Sequence, residues 1–277
     1  MLDLNLNDLI ARSLQEDIGT GDITTLSTIP AEKTITGRFI AKENGILCGM
    51  DVAKAVFCFI DPAIALKNVK NDGEKIEKGE VIATVEGNAR NILTGERLAL
   101  NLMQHMSGIA TRTREAVDQV AGTAARIADT RKTTPGLRVL EKYAVKCGGG
   151  SNHRFNLADG VLIKDNHIEA AGGIAPAVKM ARKNIPHTLK IEVEVETFPQ
   201  LEEALEAGAD IIMLDNMSYE EMARAVKIVN GHALTEASGN MGEKDLKTVA
   251  ETGVDLISIG ALTHSVKALD ISLKFKF

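Results

Sequence analysis

The sequence predicts an α/β protein whose second half folds as a parallel α/β barrel. Three observations carry this. After residue 124, six short β-prone runs alternate with helical stretches, the rhythm of helices laid over a parallel sheet. Several helical stretches end in glycine just before the next run, as in Ala207-Gly208-Ala209-Asp210 and Thr252-Gly253-Val254-Asp255, where a left-handed residue stops the helix. No Gly-x-Gly-x-x-Gly follows the first of these runs, which counts against an open dinucleotide-binding sheet, and the short, regular units favour closure.

Taken in order, Leu6, Leu9, Ile10 and Leu14 recur at helical spacing and predict an amphipathic first helix. The turn Glu16-Asp17-Ile18-Gly19-Thr20-Gly21-Asp22 ends it. From about residue 34 to 85 the texture is one of short β-prone runs, at 35–40, 45–47 and 81–85. Within it, residues 71–83 read like the sheet-and-turn pattern of lipoyl or biotinyl carrier domains, with glycines supplying the turns. No lysine there sits in a convincing acceptor hairpin, so the segment reads as structural sheet. Thr94 is expected to cap a long helix with Glu96 and Arg97 in its first turn. Leu98, Leu102, Met106, Ile109 and Ala110 form its apolar stripe. Arg97, Asn101, Gln104 and Gly108 run along another face, either solvated or presenting Arg97 to a site or a second subunit. The expected barrel strands are 125–129, 160–164, 189–194, 210–214, 233–237 and 256–259, with helices at 200–207, 220–229 and 243–251.

The 277 residues suit two domains, or one barrel with an added domain. A formal net charge of -6 argues against a nucleic-acid partner, which would meet net repulsion. A basic cluster inside an acidic protein points instead to a small anion. The three cysteines, Cys48, Cys58 and Cys147, have no metal-ligand spacing and suit a reducing compartment with free, mostly buried thiols. Met1-Leu2-Asp3-Leu4-Asn5 has neither a basic region nor a continuous apolar stretch, so no secretory signal is read. No apolar run approaches the roughly 20 residues that span a bilayer. The expected location is the cytoplasm.

In such a barrel the site lies at the carboxyl ends of the strands. Those ends read Thr130-Arg131-Lys132-Thr133; Lys164-Asp165-Asn166-His167; Glu192, Glu194 and Glu196; Asp215-Asn216; Glu236-Ala237-Ser238-Gly239-Asn240; and Gly260-Ala261. Arg131 and Lys132 converge on one anion if they lie on the turn leaving the strand. Gly148-Gly149-Gly150 ahead of His153-Arg154 permits close backbone approach to an anion, and Arg154 can hold a carboxylate or phosphate bidentately. Lys164 reads as an ion-paired lysine, an anion binder or a Schiff-base nucleophile. Strict alternation puts Glu192, Glu194 and Glu196 on one face; with Asp215 they suit Mg²⁺ or sugar hydroxyls. Ser238-Gly239 and Gly260 fit a phosphate cradle. His264, expected to begin the last helix, lies beside it. His105, His187 and His232 read as surface or packing residues.

Together these residues resemble one family over nearly the whole chain, quinolinate phosphoribosyltransferase, also called nicotinate-nucleotide pyrophosphorylase (carboxylating). The resemblance rests on residues 16–25, Gly95-Glu96-Arg97-Leu98-Ala99-Leu100-Asn101, residues 107–111, residues 129–138, the glycine run with His153-Arg154, Lys164-Asp165-Asn166-His167, residues 191–195, Leu214-Asp215-Asn216 and Glu236-Ala237-Ser238-Gly239. It implies an N-terminal α/β sandwich domain over 1–110, with the C-terminal tail rejoining it, and an incomplete parallel α/β barrel over 111–270. It also implies a homodimer with shared sites, assembling further in some cases, in which Arg97 reaches across the interface. The implied reaction is phosphoribosyl transfer from 5-phosphoribosyl-1-pyrophosphate to quinolinate with decarboxylation, using Mg²⁺. By the same resemblance Arg97, Arg131, His153, Arg154 and Lys164 surround quinolinate, and Lys132 and His264 face the pyrophosphate. Glu194 and Asp215 bind ribose hydroxyls and Mg²⁺. Ser238, Gly239 and Gly260 hold the 5-phosphate, and Thr130 and Ser258 complete the binding set; Lys132, Lys164, Glu194 and Asp215 are the implied catalytic residues. Asn240 departs from the second glycine of many relatives. The alternatives are a relative acting on nicotinate or tied to molybdenum uptake, an aldolase built on Lys164, and a lipoyl-like carrier.

Overall fold

A computed structural model describes residues 3–275. Met1 and Leu2, part of the stretch in which no secretory signal is read, lie outside the described residues, as do 276–277. The chain forms two compact units. One contains the residues up to 114, 134–149 and those from 265 onward; the other contains 115–133 and 150–264.

In chain order, α1 (Asp3–Ile18), α2 (Ile23–Thr28), β1 (Thr34–Ala41), β2 (Gly45–Ile46), α3 (Met50–Ile60), β3 (Ala65–Asn68), β4 (Lys75–Ile76), β5 (Val81–Asn88) and α4 (Ala89–Gln119) come first. Ile35, Phe39 and Ala41 of β1 are buried while Thr34, Thr36 and Arg38 are exposed, the period-2 pattern of a sheet with one wet face. That buried face meets α3, where Phe39 and Phe57 pack edge to face with centroids 6.2 Å apart. α3 is a departure from the β-prone reading of 34–85. Its Val and Phe residues favour strands locally, but Val52, Ala53, Val56 and Phe57 fall on one buried helical stripe. Asp72 fixes its start by accepting from Gly49 N and Met50 N, both at 3.0 Å.

The long helix α4 begins before Thr94. Asn88, the last residue of β5, accepts from Arg90 N (3.0 Å) and Asn91 N (3.3 Å) and so takes the capping role. Thr94 lies inside the helix and donates to Asp22 Oδ2 at 3.3 Å. The polar face of α4 is only partly solvated. Gln104 Nε2 donates to Ile271 O at 2.7 Å, and Gly108 lies against the backbone of Lys267 so closely that any Cβ collides with it. Arg97 is exposed.

β6 (Arg126–Ala128) opens the second unit, and α5 (Arg138–Cys147) returns to the first. Next come β7 (Val161–Ile163), α6 (Asp165–Ala171), α7 (Ile174–Asn184), β8 (Ile191–Val195), α8 (Phe198–Glu206), β9 (Ile211–Asp215), α9 (Tyr219–Val229), β10 (Leu234–Ser238), α10 (Leu246–Glu251), β11 (Leu256–Ser258) and α11 (Ala261–His264). β12 (Ile271–Phe275) pairs antiparallel with β1 in the first unit. All six expected barrel strands form. Their order is β6-β11-β10-β9-β8-β7, every pairing parallel, and among the described residues the edge strands β6 and β7 do not pair with each other. The barrel is therefore incomplete. Val193, Ile212, Leu214, Ala237 and Ile257 fill its strands, with Leu201, Met222 and Val249 packed from the helices, all of them fully buried.

Three local expectations change. The helix expected at 243–251 is a 3₁₀ turn, Met241–Glu243, followed by α10, whose Asp245 cap accepts from Lys247 N at 3.3 Å. His264 ends α11 rather than beginning it. Glu196 lies beyond β8 and is exposed, so the face shared by alternation is that of Glu192 and Glu194 alone.

Candidate active site

The strand ends deliver their polar residues to one cleft of about 310 Å³ in the second unit. β6 contributes Thr130, Arg131 and Lys132 from the turn that leaves it, and β7 contributes Lys164. β10 adds Glu236 and Ser238, and β11 adds Ser258. His153 and Arg154 enter from the loop after the glycine run, and Leu162 and Met213 supply apolar lining. Glu236 sits opposite Met213 and Met213 opposite Glu194, so these side chains share a face by register.

The turn after β6 is held by its own polar groups. Thr130 Oγ1 accepts from Lys132 N at 3.0 Å, and Lys132 O accepts from Thr263 Oγ1 at 2.9 Å. Asp129, fully buried just before it, organises the neighbouring loop by accepting from Asn152 Nδ2 (2.7 Å) and His153 N (2.8 Å). Arg154 Nη1 donates to Gly160 O at 3.0 Å. Burial, and then the nearby Arg131, push the Arg154 guanidinium below its usual range, with Glu192 opposing. Two guanidiniums that repel each other inside a cleft are stabilised by an anion between them. Lys164 Nζ is ion-paired with Glu194.

Beneath the cations lies an acidic floor. His153 Nδ1 accepts the backbone N–H of Arg154 at 2.7 Å, so its proton sits on Nε2, which donates to Glu192 Oε2 at 3.1 Å and lies 3.6 Å from Glu236 Oε1. Glu192 and Glu236 are both buried, and burial followed by the charge of Glu192 pushes the Glu236 carboxyl up to about 7, with His153 opposing. Three potential ligand atoms of His153, Glu192 and Glu236 fall within 4.8 Å of one another. With Nδ1 committed to an amide and Nε2 protonated, however, the imidazole has no lone pair to offer a cation. The cluster reads as a His153–Glu192 pair with the buried Glu236 carboxyl beside it. Glu192 and Glu236 were legible only as strand-end carboxylates; their coupling to His153 required the fold.

At the other end of the cleft the glycines matter. Gly239 has φ +93°, and a Cβ there would strike the Asn216 side chain and sit 2.8 Å from its backbone N. A Cβ on Gly260 would lie 2.9 Å from Lys132 Cδ and 3.2 Å from His264 Cδ2, which places these three residues together. Asn240 adopts a left-handed φ of +50° and is exposed, so it makes the turn that a glycine would make. Asp215 ends β9 beside Ser238 and accepts from Asn216 Nδ2 at 2.7 Å. Arg97 belongs to the first unit, on the exposed side of α4.

A parallel barrel that gathers lysines, arginines, hydroxyls and close-approach glycines at its strand ends defines an enzyme for multiply anionic, phosphorylated substrates. Comparison with known proteins narrows the class. A family model described as quinolinate phosphoribosyl transferase, N-terminal domain, matches residues 22–107, and its C-terminal counterpart matches 109–274. A probable nicotinate-nucleotide pyrophosphorylase [carboxylating] of Bacillus subtilis (strain 168) is 49% identical, covering 98% of this chain and 93% of that protein. The protein of the same description from Synechocystis sp. is 45% identical over 94% of this chain and 89% of its own length. The solved structure of the nicotinate-nucleotide pyrophosphorylase from Francisella tularensis superposes with a TM-score of 0.94 at 44% identity, covering 98% of this chain and 96% of that one. This chain belongs to the quinolinate phosphoribosyltransferase family.

Proposed function

We infer that the chain carries out the reaction its family is named for. It transfers the phosphoribosyl group of 5-phosphoribosyl-1-pyrophosphate to quinolinate with decarboxylation, giving nicotinate mononucleotide, CO₂ and pyrophosphate, the entry of quinolinate into NAD biosynthesis. The observation that carries the reading is the crowding of Arg131, Lys132, Arg154 and Lys164 in one cleft, with the charge of Arg154 disfavoured by burial and then by Arg131. Quinolinate brings two carboxylates and the donor brings a phosphate and a pyrophosphate, so the site needs this many cations.

In this account Arg131, Arg154 and Lys164 hold the dicarboxylate, joined by Arg97. His153 fixes the backbone of Arg154 and so aims its guanidinium. Lys132 and His264 face the pyrophosphate. Ser238, Gly239, Ser258 and Gly260 hold the 5-phosphate, with Thr130 shaping the turn. The ring nitrogen attacks C1 of the ribose as pyrophosphate leaves, a step governed by positioning and electrostatics. Glu194 and Asp215 face the positive charge that develops at the sugar and bind its hydroxyls. The positive charge on the quaternised nitrogen then stabilises the electron pair left on the adjacent ring carbon as CO₂ departs, and a proton from solvent takes the place of the lost carboxylate. No covalent bond to Lys164 is needed.

Magnesium is part of the proposal. Glu194 and Asp215 end adjacent strands and offer hard oxygens, a donor set that suits an ion bound mainly through substrate phosphates. When bound, the ion neutralises charge on the pyrophosphate.

A homodimer with shared sites, able to assemble further, is proposed with it. It is supported by the exposure of Arg97 and of the apolar Ile23 and Leu26 in the first unit. A cytoplasmic setting without nucleic-acid or membrane partners belongs to the same proposal, and the net charge of -6 supports the absence of a nucleic-acid partner. Among the described residues no helix is long and apolar enough to cross a membrane. The reading is tested by incubating the protein with quinolinate, the ribosyl donor and Mg²⁺. Equal amounts of CO₂ and pyrophosphate are expected; pyrophosphate without CO₂, or neither, overturns it.

A further inference from the structure

The first unit contains a second cluster that the reaction does not use. Cys48, which precedes α3, is fully buried, and Cys147, the last residue of α5, is half-buried. They are about 100 residues apart in sequence and carry no motif spacing. The fold nevertheless places the two sulfurs and a carboxylate oxygen of Asp72 within 4.8 Å of one another. Asp72 is already engaged, accepting from Gly49 N and Met50 N at 3.0 Å each and from the Tyr143 hydroxyl at 3.0 Å. It therefore acts as a fixed frame around the two thiols. Cys48 is anchored as well, since its N–H donates to Ser107 Oγ at 2.9 Å and its carbonyl accepts from the same hydroxyl at 3.0 Å.

We propose that Cys147 and Cys48 form a peroxide-oxidisable thiol pair, in which Cys147 is oxidised first and Cys48 resolves it to an intrachain disulfide. The two cysteines differ in the way such a pair requires. The hydrogen bond from the Cys48 thiol, and then the Tyr143 hydroxyl shared between Cys147 and Asp72, draw the Cys147 thiol below its ordinary value, against burial and the Asp72 charge. Burial, and then the proximity of Cys147, push Cys48 up. Cys147 is thus the better thiolate and the more accessible sulfur, and Cys48 is the protonated neighbour waiting beside it.

The step balances. The Cys147 thiolate attacks one peroxide oxygen, the O–O bond breaks, and the departing hydroxide takes up a proton to leave as water, which leaves a sulfenic acid on Cys147. The Cys48 sulfur then attacks the sulfenic sulfur, gives up its proton and expels a second water. Two thiols lose two electrons to one peroxide, and the disulfide ties the segment leading into α3 to the end of α5 inside a single unit.

The test uses the full-length chain, fully reduced and then exposed to a modest excess of hydrogen peroxide. The expected result is an intact-mass loss of about 2 Da, the two thiol hydrogens, reversed by dithiothreitol. Peptide mapping should give a Cys48–Cys147 cross-link while the exposed Cys58 stays alkylatable. In the Cys48→Ser variant, Cys147 should stop at a sulfenic acid that a dimedone probe captures. The wild-type mapping alone decides the matter should that variant fold poorly. Cys48 and Cys147 both remaining alkylatable after oxidation of Cys58, or a cross-link that uses Cys58, overturns the proposal.

Discussion

His153 donates from Nε2 to Glu192 Oε2 across 3.1 Å, while the opposite ring nitrogen accepts the backbone N–H of Arg154. One imidazole therefore ties a buried carboxylate to the loop that carries the Arg154 guanidinium of the cleft. Glu236, 3.6 Å from the same Nε2, shares the acidic floor. The cations of the cleft rest on this floor, and its charge state feeds into stability.

Glu236 gives a pH signature. Its carboxyl is raised from 4.5 to about 7 by burial and by Glu192. The folded state thus holds a proton that the unfolded chain releases near 4.5. The stabilisation from the neutral acid is full below that value and declines as pH rises to about 7, where Glu236 ionises in the fold. Glu236→Gln keeps the neutral shape at every pH. Urea melts should show wild type losing stability relative to this variant between pH 5 and 7.5, by on the order of 2 kcal/mol or less. Parallel profiles for the two proteins would contradict the assignment.

Arg154 is held by Gly160 O and repelled by Arg131. Lysine in its place keeps one charge but loses the planar, two-pronged donor. Arg154→Lys should lower kcat/KM for quinolinate about 10- to 100-fold, the range of one charge-assisted hydrogen bond, with the thermal midpoint little changed. Steady-state kinetics with the ribosyl donor saturating separates this from a general loss of fold. An unchanged kcat/KM would remove Arg154 from the substrate.

The two cradle glycines should behave differently. Gly239→Ala forces a side chain onto a φ of +93° and against the backbone of Asn216, and should destabilise the fold by about 1–3 kcal/mol. Gly260→Ala meets only the flexible Lys132 stem and the His264 ring. It should change stability by less than about 1 kcal/mol while raising KM for the ribosyl donor. Calorimetry with donor titrations checks both, and equal destabilisation by the two variants would contradict this account of the cradle.

The dimer proposal makes its own prediction. Arg97→Ala and Lys164→Ala chains, each inactive alone, should regain partial activity when mixed, because one site in each mixed dimer keeps both residues. Verified subunit exchange with no recovery would mean that each chain builds its own site.

The barrel was legible because its signal is local. Six apolar runs separated by glycine-ended helices set both the strands and the positions of Lys164, Asp215 and Ser238 at their ends. α3 and α5 were not legible, for opposite reasons. α3 is built from strand-favouring Val and Phe that tertiary packing turns into a helix. α5 hides its apolar stripe because Glu141 and Lys142 are themselves buried, Glu141 by accepting from Thr134 N at 3.0 Å and pairing with His105 at 2.9 Å. The same pairing gives His105 a partner that its sequence setting did not announce. The cationic half of the site could be read from the sequence, since Arg131, Lys132 and Lys164 follow strands and Arg154 follows the glycine run. The acidic floor and the Cys48–Cys147 pair could not, because they depend on residues far apart in the chain.

The most direct test of the central claim compares quinolinate with nicotinate as acceptor, with the ribosyl donor and Mg²⁺ held constant and mononucleotide formation followed. Nicotinate lacks the carboxylate next to the ring nitrogen, so it leaves part of the Arg131, Arg154 and Lys164 cluster unsatisfied and has no CO₂ to lose. The account predicts turnover of quinolinate with nicotinate near background. Comparable kcat/KM for the two acceptors would contradict it.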